Sequence, residues 1–251
     1  MSTDVVVHAD PAVLAQAVAA RLLVSLIDAQ AARGEATVVL TGGGIATTVY
    51  EAVAASPARH AVDWSRVTFW WGDERFLPAG HPDRNETQAR AALGELLEQA
   101  RVYPMPAADG PDGDDPEAAA ARYARQLDAT AHPAHLPRFD LLLLGMGDDG
   151  HIASIFPEQP AAYEVRAVCA VRGAPKPPPT RITLTLPTIN TAGQIWLVVA
   201  GANKATAVNL ALSGTGPMQI PAAGVCGVDR TLWLLDRAAA AEVAPQIRAP
   251  R

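Results

Sequence analysis

His151 follows a glycine and stands two residues after a carboxylate, Asp149, in a turn that itself follows four consecutive leucines. Histidine is the side chain whose unperturbed titration lies nearest neutrality, so it is the natural carrier of a proton at physiological pH. A carboxylate two positions away across the bend at Gly150 can orient the imidazole and stabilise its charged form. The plain alternative is a histidine that caps the next helix. Leu141 to Leu144 favour the chemical use: the run reads as a strand covered on both faces, and in open α/β sheets ligands bind beyond the carboxyl ends of such strands. The spacing predicts His151 facing a cleft as a general base, with Asp149 beside it.

Other segments carry groups that could serve the same cleft. Gly42, Gly43 and Gly44 fall between a strand and a helix, where the backbone can approach a ligand and the free amides of a helix start favour an anion. The same three glycines could form only a tight turn, and they lack the spacing and lysine of a P-loop. Asp73, Glu74 and Arg75 follow a strand containing Trp70 and Trp71, either as ligand contacts or as a surface ion-pair turn. Arg172 and Arg181 bracket a proline-rich loop, and Lys204 follows Gly201-Ala202-Asn203. Arginine suits bidentate phosphate binding and lysine supplies a compact charge, so Arg75, Arg172 and Lys204 are candidate phosphate ligands, with Arg181 a weaker one. Gly145, Gly147 and Gly150 match G-x-G-x-x-G, but Asp148 and Asp149 would face and repel a pyrophosphate, which argues against a nicotinamide cofactor. His8, His60, His81, His132 and His135 are expected at the surface, with no zinc-binding arrangement among them. Cys169 and Cys226 have neither metal-ligand nor redox spacing and are expected as reduced, packed thiols.

The elements that must position these groups alternate. Strands are expected at Val5 to His8, Thr37 to Leu40, Val67 to Trp71, Leu141 to Leu144, Ala167 to Val171, Arg181 to Leu186, Ile195 to Ala200 and Thr231 to Asp236. Helices are expected at Pro11 to Arg33, Ile45 to Ala55, Thr87 to Glu98, Pro116 to Ala129, Asn203 to Leu212 and Arg237 to Val243. Such alternation predicts an α/β fold: an open, mostly parallel sheet with helices on both faces and its post-strand loops gathered at one edge. The loop from Met105 to Asp115, rich in Pro, Gly and Asp, is an exposed excursion.

The chain has 251 residues, 49% hydrophobic and 18% charged, which fits one folded domain spanning residues 1–251 and argues against disorder. The net charge of −6 disfavours nucleic acid or an anionic membrane as partner, while leaving room for a small anion held by local cations. Of the 20 basic residues only two, Lys176 and Lys204, are lysine. No signal peptide or membrane span is expected from the start of the chain, which points to the cytoplasm. Nothing in the sequence bears on oligomeric state.

Five segments in order resemble the 6-phosphogluconolactonase family, part of the wider glucosamine-6-phosphate isomerase/6-phosphogluconolactonase group. They are Thr41-Gly42-Gly43-Gly44; Trp71 to Pro78 with Asp83-Arg84-Asn85; Gly145 to Pro157, holding Asp-Gly-His-Ile-Ala-Ser; Arg181-Ile182-Thr183-Leu184; and Gly201 to Ala205. The resemblance implies a fold like those of ribose-5-phosphate isomerase and glucosamine-6-phosphate deaminase. It implies hydrolysis of 6-phospho-D-glucono-1,5-lactone in the oxidative pentose phosphate pathway, a phosphorylated sugar lactone as the small-molecule partner, and no required metal or organic cofactor. Carried onto this chain, it makes His151 the base that activates water and Asp149 its orienting partner, with Gly42 to Gly44, Asp73, Arg75, Arg172 and Lys204 binding substrate. The deaminase pattern has a Glu five residues after the histidine and a Tyr after Asp-Glu; here Phe156 and Arg75 stand there, which favours the lactonase. A sugar-phosphate sensor would ordinarily carry a DNA-binding unit before this fold, and a sheet starting near Val5 leaves no room for one.

Overall fold

A computed structural model describes residues 2–131 and 134–248. Its elements in chain order are β1 (Ser2–His8), α1 (Pro11–Arg33), β2 (Ala36–Leu40), α2 (Gly44–Ala55), β3 (Val67–Trp71), β4 (Asp73–Arg75), α3 (Asn85–Leu93), α4 (Glu95–Gln99), β5 (Arg101–Val102), α5 (Pro116–Ala131), β6 (Leu141–Leu144), β7 (Val168–Val171), β8 (Arg181–Leu184), α6 (Leu186–Ile189), β9 (Gln194–Val199), α7 (Ala205–Leu212), β10 (Arg230–Asp236) and α8 (Pro245–Arg248). Seven strands form one sheet in the order β1-β10-β9-β6-β2-β3-β5, with every paired neighbour parallel. The run of four leucines is fully buried as β6, in the middle of that order, as expected for a strand shielded on both faces.

The expected mostly parallel α/β sheet is present, and a second sheet accompanies it. β4, β8 and β7 pair antiparallel in that order. The proline-rich loop joining β7 to β8 is too short for the crossover helix a parallel pair needs, so these strands turn back on each other. Gly72 is the transfer point between the sheets: its amide donates to the Leu40 carbonyl and its carbonyl accepts from Leu184. Buried side chains from both sheets belong to one continuous apolar core.

The helix expected over Thr87 to Glu98 is divided into α3 and α4 at Gly94, whose φ of 54° interrupts the regular backbone. Arg237 to Val243 forms turns, begun by Asp236 accepting from the Ala239 amide at 2.7 Å, and the short helix α8 starts only at Pro245. α1 begins where Asp10 caps the Val13 amide and ends at Gly34 in the left-handed region. By length and composition α1 is long and apolar enough to cross a membrane. Its buried face, from Leu14 through Leu26 to Ala29, instead packs in the core and contacts β1, β2 and β10.

Candidate active site

The loops leaving β2, β3, β6 and β9, which are neighbours at the centre of the large sheet, enclose a cleft of about 630 Å³. Gly42, Gly43, Gly44, Asp73, Arg75, His151 and Lys204 all line it, as do Asn85, Lys176 and Arg181. Parallel strands deliver their carboxyl ends to one edge, so residues distant in sequence converge there.

The turn after β6 is tied by the Gly147 amide donating to the His151 carbonyl at 2.8 Å. His151 Nδ1 lies 2.5 Å from Asp149 Oδ1, and the His151 amide donates to the same oxygen at 3.1 Å. A carboxylate on Nδ1 fixes the proton there and leaves Nε2 with its lone pair available. Half-burial opposes the charge of Asp149, but hydrogen bonds and charge from His151, with Lys176 nearby, hold its carboxyl below the usual carboxylate range. A Cβ on Gly147 would sit 2.0 Å from His151 Nδ1, so the pair can pack there only against glycine. Phe156 supports the imidazole with ring centroids 4.4 Å apart.

The turn after β3 is built around two acids. Asp73 is buried and accepts from Ser154 Oγ at 2.6 Å and from Asn85 Nδ2 at 3.1 Å. These bonds tie the His151 loop to the β4 loop. Asn85 also packs against Gly42, where a Cβ would meet its Oδ1 at 1.8 Å. Glu74 is fully buried and accepts from the amides of Arg75, Asn85 and Glu86 at 2.8, 2.6 and 2.9 Å. Burial pushes its pKa up to about 7, partly offset by Arg84, 3.7 Å away, and by those amides. Arg75 donates through one terminal nitrogen to the Asp83 carbonyl at 2.7 Å, while its buried Nε has no partner.

α2 starts at Gly44 with Gly43 as cap residue and no side-chain cap on its amides, which leaves the helix start open to an anion in the cleft. Lys204 lies across the same cleft, and burial lowers its pKa against the attraction of Asp148.

The structure does not bring Arg172 to the cleft. It pairs with Glu117 of α5 through two bonds, Nε at 2.9 Å and a terminal nitrogen at 2.5 Å. It sits at the far end of the β7–β8 loop, facing the helix that packs on that small sheet. Arg181 is buried and donates to the carbonyls of Lys176, Pro177 and Pro178 at 2.9, 3.1 and 3.1 Å, with Asp73 4.0 Å away. Lys176, Asn85 and Ser154 were not singled out by the sequence. Lys176 had a usable signal as one of only two lysines, and the other two lie inside the segments that carry the family resemblance.

Among the remaining histidines, His60 and His135 are exposed and His81 is half-buried, whereas His8 is half-buried with its Nε2 unpartnered; His132 lies outside the described residues. Burial pushes the Cys169 thiol up to about 11, as befits a packed side chain. Among the described residues no three His, Cys, Asp or Glu side chains are grouped as metal ligands.

Fold and cleft together place a carboxylate-paired imidazole and several cationic side chains at one edge of a parallel α/β sheet. The family model for glucosamine-6-phosphate isomerases/6-phosphogluconolactonase matches residues 9–233. The 6-phosphogluconolactonase of Streptomyces coelicolor is 54% identical over 98% of this chain and 97% of its own. That of Mycobacterium tuberculosis is 45% identical over 97% of this chain and 99% of its own. The solved 6-phosphogluconolactonase of Trypanosoma brucei superposes with a TM-score of 0.82 at 29% identity, over 97% and 99% of the two chains. A monomeric glucosamine-6-phosphate deaminase, at 22% identity and a TM-score of 0.77, shares the fold. The chain belongs to the glucosamine-6-phosphate isomerase/6-phosphogluconolactonase family.

Proposed function

We propose that this protein, as one catalytic domain acting in the cytoplasm, hydrolyses 6-phospho-D-glucono-1,5-lactone to 6-phospho-D-gluconate, with His151 as general base. Hydrolysis of this lactone is the activity carried by the names of the similar proteins of Streptomyces coelicolor and Mycobacterium tuberculosis. The observation that carries the assignment of the base is the 2.5 Å contact of His151 Nδ1 with Asp149, at a cleft that also holds Arg75 and Lys204.

Nε2 of His151 takes a proton from water as the resulting hydroxide attacks the lactone carbonyl carbon. Asp149 stabilises the imidazolium that forms. The carbonyl oxygen becomes an oxyanion, for which the amides of Gly42 to Gly44, lining the cleft, are the candidate donors. Collapse of the tetrahedral intermediate breaks the bond to the ring oxygen, which receives the proton from His151. The new carboxylic acid then ionises to solvent, and the imidazole is neutral again. Arg75 and Lys204 hold the phosphate throughout, and Asp73 accepts from a sugar hydroxyl.

The isomerase or deaminase reading shares the Asp-Gly-His turn, but Phe156 provides no carboxylate where that chemistry places its glutamate. An assay on freshly generated phosphogluconolactone, corrected for spontaneous hydrolysis, tests the choice when glucosamine 6-phosphate is run beside it. Acceleration of the first reaction alone is expected. Release of ammonia from the amino sugar, with no acceleration of lactone hydrolysis, would replace this reading by the other.

A further inference from the structure

The only two lysines of the chain both line the cleft, although arginine supplies every other basic side chain. Lys204 stands at the start of α7. Lys176 comes from the proline-rich β7–β8 loop, and its side chain turns to Asp148 at the rim, with Asp149 Oδ1 3.8 Å away. Lys176 lines the cleft, whereas its partner Asp148 is not part of that lining.

The backbone of Lys176 is held firmly. Buried Arg181 donates to its carbonyl and to those of the next two prolines, and the Ala174 amide closes the loop on the Pro179 carbonyl at 2.9 Å. Arg181 thereby uses much of its donor capacity inside the protein and acts as the loop's anchor. What can still move is the four-carbon stem of Lys176, 39% exposed, and its partner Asp148, 51% exposed. An exposed lysine pair of this kind is weak enough for an incoming anion to displace. Lysine suits such an exchange because its ammonium is a point charge on a flexible stem, whereas an arginine fork would grip the carboxylate through two bonds.

We propose that Lys176 is a further ligand for the substrate's phosphate, and that Asp148 is its internal counter-ion, holding it at the rim until the phosphate takes it over. The inference rests on the lactonase reading for the identity of the anion. It makes Asp148 a competitor of substrate: neutralising Asp148 frees Lys176 and tightens anion binding. Simple repulsion between Asp148 and a phosphate has the same sign, so the two effects must be separated by whether Lys176 is required.

The test is a double-mutant cycle of Lys176→Met and Asp148→Asn, read as KM for the lactone and as binding of inorganic phosphate, which needs no turnover. Lys176→Met is expected to raise KM and the phosphate Kd by about 10-fold, the scale of one charge-assisted hydrogen bond. Asp148→Asn is expected to lower both by roughly threefold, the scale of a released surface pair. In the Lys176→Met background the effect of Asp148→Asn should disappear. An equal gain from Asp148→Asn in both backgrounds would show that repulsion or the attraction between Asp148 and Lys204, and not release of Lys176, accounts for it, and would overturn the proposal, as would an unchanged phosphate Kd in Lys176→Met. Labelling lysine at Cε gives a direct view, since two lysines yield two signals: the Lys176 signal must move on phosphate addition, and at lower phosphate in Asp148→Asn. A Lys176 signal that stays still while that of Lys204 moves also overturns it. Absence of lactonase activity in the wild-type protein would sink the functional reading, while the phosphate titration still decides the role of Lys176.

Discussion

Two acidic dipeptides stand at the carboxyl ends of parallel strands on this sheet edge, and the protein uses them in opposite ways. Asp148-Asp149, after β6, keeps its carboxylates within reach of solvent and surrounds them with cations, so both pKa values fall below the ordinary range. Asp73-Glu74, after Gly72, is buried, and the pKa of Glu74 rises to about 7. In each pair one member serves the cleft: Asp149 orients His151, and Asp73 faces the ligand space. Their companions differ more. Asp148 is an exposed counter-ion, whereas Glu74 gathers three backbone amides and thereby fixes where Arg75 and Asn85 stand. The type of residue is nearly the same; its depth decides whether the charge is available to substrate or is absorbed in building the wall.

Removing the group that the exposed turn exists to present should have the largest effect. His151→Ala is expected to lower kcat for lactone hydrolysis by at least ~100-fold, the usual scale for loss of a general base, with circular dichroism and Tm close to wild type. Turnover near that of the wild-type enzyme would remove His151 from the role, and with it the contrast drawn between the two turns.

Linkage sharpens the contrast through stability. A group whose folded pKa lies above its unfolded value contributes stability at low pH and loses it as pH rises through the folded pKa. For Glu74 the contribution is full below the unfolded value of 4.5 and fades as pH passes about 7. The stability gap between wild type and Glu74→Gln, from urea melts at pH 5 and pH 8, should therefore narrow by on the order of 1–3 kcal/mol as pH rises. Asp149, with its pKa depressed, must behave in the reverse sense. Its gap against Asp149→Asn should be full at neutral pH and close only as acid takes pH below the ordinary carboxylate range. Gaps that move in the same direction with pH would refute the distinction.

Much of this site was readable from the chain because its groups come from strand ends, and buried parallel strands announce themselves as apolar runs. The β6 leucines, the glycines after β2 and the Asp-Gly-His turn located the cleft in advance. What eluded the sequence depends on side-chain direction and on pairing across long separations. Thr183 and Ser154 meet only because β8 leaves the parallel sheet to pair with β4. The antiparallel pairing of β7 with β8 follows from the short loop between them, yet alternation alone suggests further parallel strands. Glu74 looked like one more charge in a polar turn, since nothing local tells that it will be sealed under the Arg84 loop. Arg172 and Lys176 lie on one loop, and sequence chemistry favoured the arginine; the fold sends that arginine to α5 and the lysine to the cleft.

Lys204 should show a smaller effect than either acid turn's central residue, because in the proposed reaction it holds the phosphate before and during the chemical step. Lys204→Ala is expected to raise KM about 10-fold with a much smaller change in kcat, as for loss of uniform binding. A loss confined to kcat would place Lys204 at the reacting atoms instead.

Arg172→Ala sets the lower limit of the series. Its guanidinium is 61% exposed and its partner Glu117 55% exposed, so solvent screens the pair despite its two short bonds. Screening of this kind leaves the pair weak, and its loss should move Tm by no more than a few degrees. Because the side chain points to α5 and away from the ligand space, KM for the lactone should stay within about twofold, against the 10-fold expected for each lysine. The comparison between Arg172→Ala and Lys176→Met is the most demanding, since both substitutions remove one positive charge from the same loop and shift the net charge equally. Equal increases in KM would mean that the protein's overall field governs binding; an increase in Lys176→Met alone means that contact inside the cleft does.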